Sequence, residues 1–381
     1  MTISSPFINE EHESFRTQVR RFVETEISPN IEAWESARSL PRELHKKAAE
    51  IGILQIGYPE SCGGIEVPDL FYGNILSEEL ARAGSGGLMA SLMSHSIATP
   101  PICHAGSSEL QARFAQPVLA GEKIAALAIT EPSGGSDVAN IRTRAVRDGD
   151  HYVVNGSKAF ITSGLRADYL TCAVRTGGQG TGGISLLVIE GNTPGLNRTP
   201  MEKMGWHCSD TATLYFDDCR VPVENIVGKE NQGFLAIMRN FNQERIMLAA
   251  QAYGFAKVCY DDALAYARER ETFGKALIRN QVVRHRLVDM RMRLEAVKAN
   301  LDIVTWRVSN KETPIAEVCM LKNFACTSLE WIANEAMQIF GGAGYLRGNR
   351  VERVYRETKV LTIGGGSLEI MKELAAKQSG Y

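Results

Sequence analysis

The chain has 381 residues, long enough for two or three domains, with 44% hydrophobic and 23% charged residues, the profile of an ordinary soluble globular protein. A formal net charge of −2 gives no electrostatic reason to expect nucleic acid or an acidic membrane as a partner.

The N-terminal segment "MTISSPFINEEHESF" has neither a basic nor an apolar leader region and is too acidic for an Arg-rich transit peptide. No uninterrupted apolar run approaches the roughly 20 residues of a membrane span, so no membrane insertion is expected. The eight cysteines are scattered without a C-x-x-C pair. A disulfide framework and a zinc site are therefore not expected, no metal is assigned, and reduced thiols in a reducing, cytoplasmic setting are.

Residues 1–124 read as helices. "NEEHESFRTQVRRFVETEI" places Phe15, Val19, Phe22 and Val23 at helical spacing. From 125 to 233 the period changes to short strands: "AALAIT", two runs around a turn at Asp148-Gly149-Asp150 with a second turn at Asn155-Gly156, then "YLTCAVRT", "GISLLVIE" and "ATLYFDDCRV". Such spacing suggests a small barrel or sandwich. From 234 to 381 helical grammar returns, with long segments from Phe234 to about Arg270, Gln281 to about Ser309 and about Pro314 to Phe340, which suggests a bundle. The expected fold is mainly α with a middle all-β domain. Near the C-terminus, "TKVLTIGGGSLEI" reads as an apolar strand-like run, three glycines (Gly364–Gly366) and a last helix. No local fold needs three glycines, so something is expected to approach this backbone closely.

Several motifs carry possible chemistry, each beside a plainer reading. "AITEPSGGSD" leaves a strand for a Gly/Ser loop in which Thr130 and Ser136 offer hydroxyls; it also reads as an ordinary loop. "FGGAGY" follows a helix, so it fails the context of a nicotinamide-type dinucleotide fingerprint; it fits a helix C-cap or a backbone meeting a pyrophosphate. In "RERETFGKALIRNQ", Arg270 and Gln281 flank Phe273 and Gly274, either as a phosphate-binding Arg fork or as a solvated helix end. Glu244 is harder to set aside. Phe234, Ile237, Phe241, Leu248, Ala252 and Phe255 define one helix face, and at about 100° per residue Glu244 lies within about 60° of its centre. Arg245 lies on the other margin and Gln243 points away. A carboxylate on an apolar face is either functional or half of a buried Glu–Arg pair.

Together these motifs resemble the acyl-CoA dehydrogenase family over essentially the whole chain. "AITEPSGGSD" is similar to its first signature and "QIFGGAGYLRGNRVERVYRE" to its second, with "NGSKAFITSG", "MGWHCSDT" and "RETFGK" at the expected intervals; Asn140 and Gly348 are small departures. The resemblance implies a helical N-terminal domain (1–124), a β-barrel-like middle domain (125–233) and a C-terminal four-helix-bundle domain (234–381), assembled as a homotetramer. It implies FAD, with Ile129, Thr130, Phe160 (where many relatives carry Trp) and Thr162 beside the flavin ring. Arg270, Phe273 and Gln281 match positions holding the diphosphate and adenosine end, Gln338 and Gly342 positions reaching a neighbouring subunit's FAD, and Ser367 a hydroxyl near the flavin. Ser136, Arg245 and Gly364 match positions lining the acyl-CoA channel, Ser136 also standing in the flavin-binding loop.

Many members carry their catalytic glutamate in a "YEGT"-like segment, and Gly365 stands where it would be. The isovaleryl-CoA and long-chain types carry the base on the helix instead, in a segment matching Glu244-Arg245. The resemblance thus implies α,β-dehydrogenation of an acyl-CoA in fatty acid β-oxidation, with Glu244 as α-proton base, the Gly365 N–H as an oxyanion-type donor, hydride transfer to the flavin, and an electron-transfer flavoprotein as acceptor. The space over the glycines is expected to hold the thioester and the Glu244 carboxylate. Glu369 is a rival base, expected in a helix's first turn. A flavin oxidase of the same fold and a non-catalytic acyl-CoA-binding homologue stay open as alternatives.

Overall fold

Asn9 opens the first helix, α1 (Glu10–Phe22): its side chain accepts the His12 N–H while His12 Nδ1 accepts the Asn9 N–H, a reciprocal cap. Phe15, Val19, Phe22 and Val23 are buried, as their spacing predicts. The computed structural model describes residues 5–381, without the side chains of Arg239, Asn240 and Asn242; the first four residues of the N-terminal segment read above lie outside it.

Among the described residues, the α-helices that follow before the sheet are α2 (Ile31–Ala37), α3 (Glu43–Glu50), α4 (Phe71–Ala81), α5 (Gly86–Leu92), α6 (His95–Ala98), α7 (Pro100–Ala105), α8 (Ser108–Leu110) and α9 (Gln116–Leu119). The strands are β1 (Ala125–Ala128), β2 (Arg144–Asp148), β3 (His151–Thr162), β4 (Tyr169–Arg175), β5 (Ile184–Glu190), β6 (Leu196–Pro200), β7 (Thr211–Pro222) and β8 (Ile226–Val227). Then come α10 (Gly233–Glu269), the short hairpin β9 (Glu271–Thr272) and β10 (Lys275–Ala276), α11 (Gln281–Ser309), α12 (Ile315–Phe340), α13 (Arg350–Leu361) and α14 (Leu368–Ser379). Among the described residues no helix is long and apolar enough to cross a membrane, and all eight cysteines are buried.

The chain forms two compact units. One comprises Ala33–Val67 and Gly87–Phe241. Its sheet runs β6-β7-β3-β2-β4-β5-β8, with β1 beside β4. Among the described residues the strand path crosses between its two halves where Arg144 pairs with Arg175. Inward residues from both halves, among them Val154, Leu170, Leu187 and Leu214, share one core, the arrangement of a small barrel or sandwich. The predicted turn at Asp148–Asp150 joins β2 to β3. The second, at Asn155-Gly156, does not form. β3 runs through it as one strand with a register shift between Val154 and Gly156, and Gly156 has a φ of +143° with Thr143 Cα 2.7 Å from where a Cβ would stand. The glycine serves a bulge and a close backbone approach, not a hairpin.

The other unit comprises Met1–Glu32, Pro68–Gly86 and Asn242–Tyr381. Helices α11, α13 and α14 all pack on α12. Arg353, 1% exposed, donates to the carbonyls of Ala83 and Gly84, and Glu357 accepts the Gly86 N–H at 2.7 Å, so α13 is tied to the segment after α4. Gly254 lets α10 approach α4: a Cβ there would lie 2.7 Å from that of Ala81. The strand-like run before the glycines is the last turn of α13 and a turn after it. Thr358 and Leu361 continue the buried face begun by Val351 and Val354, and that packing overrides strand propensity.

Candidate active site

Helix α10 places three side chains of consequence at consecutive positions, about 100° apart around its axis. Gln243 is exposed, Arg245 is 7% exposed, and Glu244 is half-buried. The Oε2 of Glu244 is enclosed and has no hydrogen-bond partner among the described residues. Burial pushes its carboxyl up to about 7, against the opposing pull of Arg245 and Lys322. Arg245 Nε donates to the Gly365 carbonyl at 3.5 Å, while its charge bears on Glu244.

The glycine segment lies against this helix. The Gly364 N–H bonds back to the Val360 carbonyl at 2.8 Å, closing α13. Gly365 then takes a φ of +64°, the left-handed region that favours glycine. A Cβ built on it would stand 3.8 Å from Glu244 Oε1 and 2.3 Å from Leu248 Cδ1. Glu244 and Leu248, one helical turn apart, thus share the space over Gly365. Lys322 of α12, fully buried, donates to the Gly366 carbonyl at 2.8 Å. Ser367 caps α14, accepting the Ile370 N–H. Glu369 stands exposed in that helix's first turn, and its own N–H and the Ser367 hydroxyl hold its carboxyl below the usual range. It is an ordinary surface carboxylate, poorly suited to abstract a proton.

A second set of candidates lies in the other unit. Ile129 is buried, Thr130 and Thr162 are half-buried, and Ser136 is exposed. The Thr130 carbonyl accepts the Ala159 N–H at 2.9 Å, setting Thr130 beside Phe160. Phe160 is 64% exposed and has a φ of +60°, an orientation costly for a bulky residue and unrewarded by packing within the chain. The loop is pinned from below. Lys158, fully buried, donates to the Ile129 carbonyl and to Glu131, whose carboxylate also accepts the N–H groups of Arg142 and Thr143. Burial would raise the Glu131 carboxyl, but Lys158 and Thr143 overcome it and hold it below the usual range.

The third set is exposed. Arg270 follows α10, Gln281 begins α11, and Phe273, 101% exposed with a φ of +51°, tips the β9–β10 hairpin. Gln338 and Gly342 are exposed at the end of α12. A Cβ on Gly342 would meet nothing within 4 Å and its φ is ordinary, so the chain's own fold does not require a glycine there.

Residues 9–122 match the N-terminal domain of acyl-CoA dehydrogenases, 126–219 the middle domain and 231–380 the C-terminal domain. The chain belongs to the acyl-CoA dehydrogenase family. It is 35% identical to the mitochondrial long-chain specific acyl-CoA dehydrogenase of Rattus norvegicus over 372 residues, 97% of this chain and 86% of that one. A solved chain described as an acyl-CoA dehydrogenase of Mycobacterium smegmatis is 48% identical, with a TM-score of 0.96 and 99% of each chain covered. A chain in a structure of the electron transferring flavoprotein of Acidaminococcus fermentans is 32% identical, with a TM-score of 0.94 over 99% of each chain. As an acyl-CoA dehydrogenase the protein is an oxidoreductase acting on acyl-CoA, and the family's members are FAD-dependent flavoproteins. The residues present fit that cofactor: an outward aromatic in a strained backbone, two threonine hydroxyls and glycines open to solvent are what a ring and a diphosphate need.

The sequence reading does not single out Lys322, Glu131 or Lys158, and takes Leu248 only as part of the apolar face of α10. Lys322 was nonetheless detectable. It falls in the stripe of Cys319, Cys326, Leu329 and Ala333, all buried on α12, so a charge at the centre of an apolar face marks it as it marks Glu244.

Proposed function

We propose that this enzyme converts an acyl-CoA thioester to the trans-2-enoyl-CoA with Glu244 as the α-proton base. The observation that carries the reading is the Glu244 carboxyl: buried, unpaired at Oε2 and raised to about 7, it matches the requirement for a base poised near neutral pH. Gly365 contributes through its backbone. No acceptor for its N–H is found among the described residues, which leaves that N–H available to the thioester oxygen as negative charge develops. Removing such a donor typically costs about 2.7–4 kcal/mol of transition-state stabilisation. Arg245 and Gly364 line the same region, with Ser136 contributing to the acyl-CoA channel. FAD, when bound, accepts the β-hydrogen as hydride. Ile129, Thr130, Phe160, Thr162, Ser136 and Ser367 would hold and orient its ring, Arg270, Phe273 and Gln281 would hold its diphosphate and adenosine end, and Gln338 and Gly342 would reach the FAD of a neighbouring subunit.

The partner that would take up the electrons is an electron-transfer flavoprotein, a reading supported by the likeness to the Acidaminococcus chain. A homotetramer is supported by Val288, Met292, Ile303, Met320 and Phe324, apolar side chains exposed on α11 and α12 that assembly would cover. A helix-borne base and the long-chain relative favour long or branched acyl chains.

The test is anaerobic bleaching of the flavin by a panel of acyl-CoAs. Glu244→Gln is expected to keep flavin and CoA-ligand binding while bleaching falls by about 10²–10⁴-fold. Bleaching at the wild-type rate would contradict the assignment. Rapid recolouring in air with peroxide release would move the reading to an oxidase.

A further inference from the structure

We propose that Lys322 is a positioning residue for this reaction, its buried ammonium holding the left-handed glycine turn against Glu244 and setting the charge that the base works beside. The inference rests on the reading of Glu244 as base.

A lysine with no exposed surface is costly unless its charge is compensated. Among the described residues no carboxylate lies within 4.0 Å of Lys322 Nζ, and its hydrogen bond goes to a neutral group, the Gly366 carbonyl at 2.8 Å. The next residue on α12 continues the pattern: Asn323 Nδ2 donates to the Leu368 carbonyl at 2.9 Å. Arg245 Nε reaches the Gly365 carbonyl from α10. Two buried cations therefore hold successive carbonyls, Gly365 by Arg245 and Gly366 by Lys322. Gly365 and Gly366 have φ values of +64° and +103°, and glycine pairs drift readily between conformers unless anchored. Anchoring their carbonyls fixes the peptide planes on both sides of Gly366, and with them the turn that presents the Gly365 N–H.

The same ammonium acts on the base through space. Arg245 on α10 and Lys322 on α12 are the charged groups that bear on Glu244. The other titratable groups around Lys322 are Cys319 and Cys326, whose thiols burial keeps protonated. The exposed Glu369 on α14 lies near Lys372 and Lys359 instead. Removing the charge of Lys322 leaves Arg245 alone to oppose burial, so the base holds its proton to higher pH.

Three variants of the flavin-loaded enzyme separate charge from hydrogen bond, with Glu244→Gln run beside them. The readouts are the pH profile of anaerobic flavin reduction and hydrogen–deuterium exchange of residues 362–368. Lys322→Met is expected to move the acid limb to higher pH, lower the rate at neutral pH by about tenfold or more, and speed exchange in the segment. Lys322→Gln, which keeps a donor and loses the charge, shifts the limb with a smaller rise in exchange. Lys322→Arg keeps the limb in place. If Lys322→Met does not fold, the glutamine variant decides the matter: an unmoved limb and wild-type exchange overturn the proposal. If Glu244→Gln bleaches normally, the base assignment fails instead, and exchange in the lysine variants still reports whether Lys322 holds the turn.

Discussion

Replacing Glu244 with glutamine should stabilise the protein, and by an amount that depends on pH. In the native state the carboxyl holds its proton up to about pH 7, whereas an unburied glutamate releases it near 4.5. Between those values the native protein binds more protons than the unfolded chain, so this residue's contribution to stability falls as pH rises. It is complete below the lower value and lost above the upper one. Glutamine has the same shape and does not titrate, so the other ionisable groups largely cancel when variant and wild type are compared. A rise from 4.5 to about 7, at about 1.4 kcal/mol per unit, is worth about 3 kcal/mol. The assay is equilibrium denaturation of both proteins at several pH values. The variant's advantage is expected to grow across that window by about 3 kcal/mol and then level off. A difference that stays flat would show that Glu244 titrates normally, and the argument from burial would fail.

Moving the base across the site tests whether Glu244 and Gly365 address the same point. Glu244→Gly should be nearly inactive, and adding Gly365→Glu should restore part of the flavin-reduction rate only when Leu248→Ala clears the atom 2.3 Å from the new Cβ; even then the left-handed backbone costs about 1–2 kcal/mol. No recovery in the triple variant, with its new carboxylate seen crystallographically to point away from the former Glu244 position while the loop keeps its shape, would refute convergence. Lys158→Met leaves Glu131 buried without its cation, so a loss of about 3–5 kcal/mol of stability and weaker flavin retention are expected in denaturant titrations; unchanged stability would contradict the pinning of the loop. Arg270→Ala should lower the FAD content of the purified protein, measured by absorbance, because a fork donor to phosphate is removed; full occupancy would count against that placement.

The long helices were legible because their faces repeat: α10, α11 and α12 begin and end within a residue or two of where periodicity puts them. Glu244 stood out because a carboxylate on such a face is unusual. The bulge at Gly156 was not legible, since Asn-Gly carries the same local signal in a hairpin turn and in a bulge, and only the contact with Thr143 distinguishes them. The strand-like reading of the end of α13 fails because β-branched Thr358 and Val360 lie in the helix and Thr362 and Ile363 in the turn after it, so local strand propensity does not decide their conformation. The link between Lys322 and Gly366 spans 44 residues and leaves no spacing signature at all. What the sequence offered there was a lysine within an apolar stripe, half of a relationship whose other half is a backbone carbonyl.

The central claim, that Glu244 removes the α-proton, is tested most directly with an acyl-CoA that has no β-hydrogen. Such a substrate cannot complete the oxidation but can still lose and regain its α-protons. Wash-in of deuterium at the α-carbon, followed by mass spectrometry in D2O, then reports proton abstraction alone. The wild-type enzyme is predicted to exchange, with a rate that climbs through about pH 7 as the carboxylate forms, and Glu244→Gln is predicted not to exchange. Undiminished wash-in by the glutamine variant would contradict the assignment.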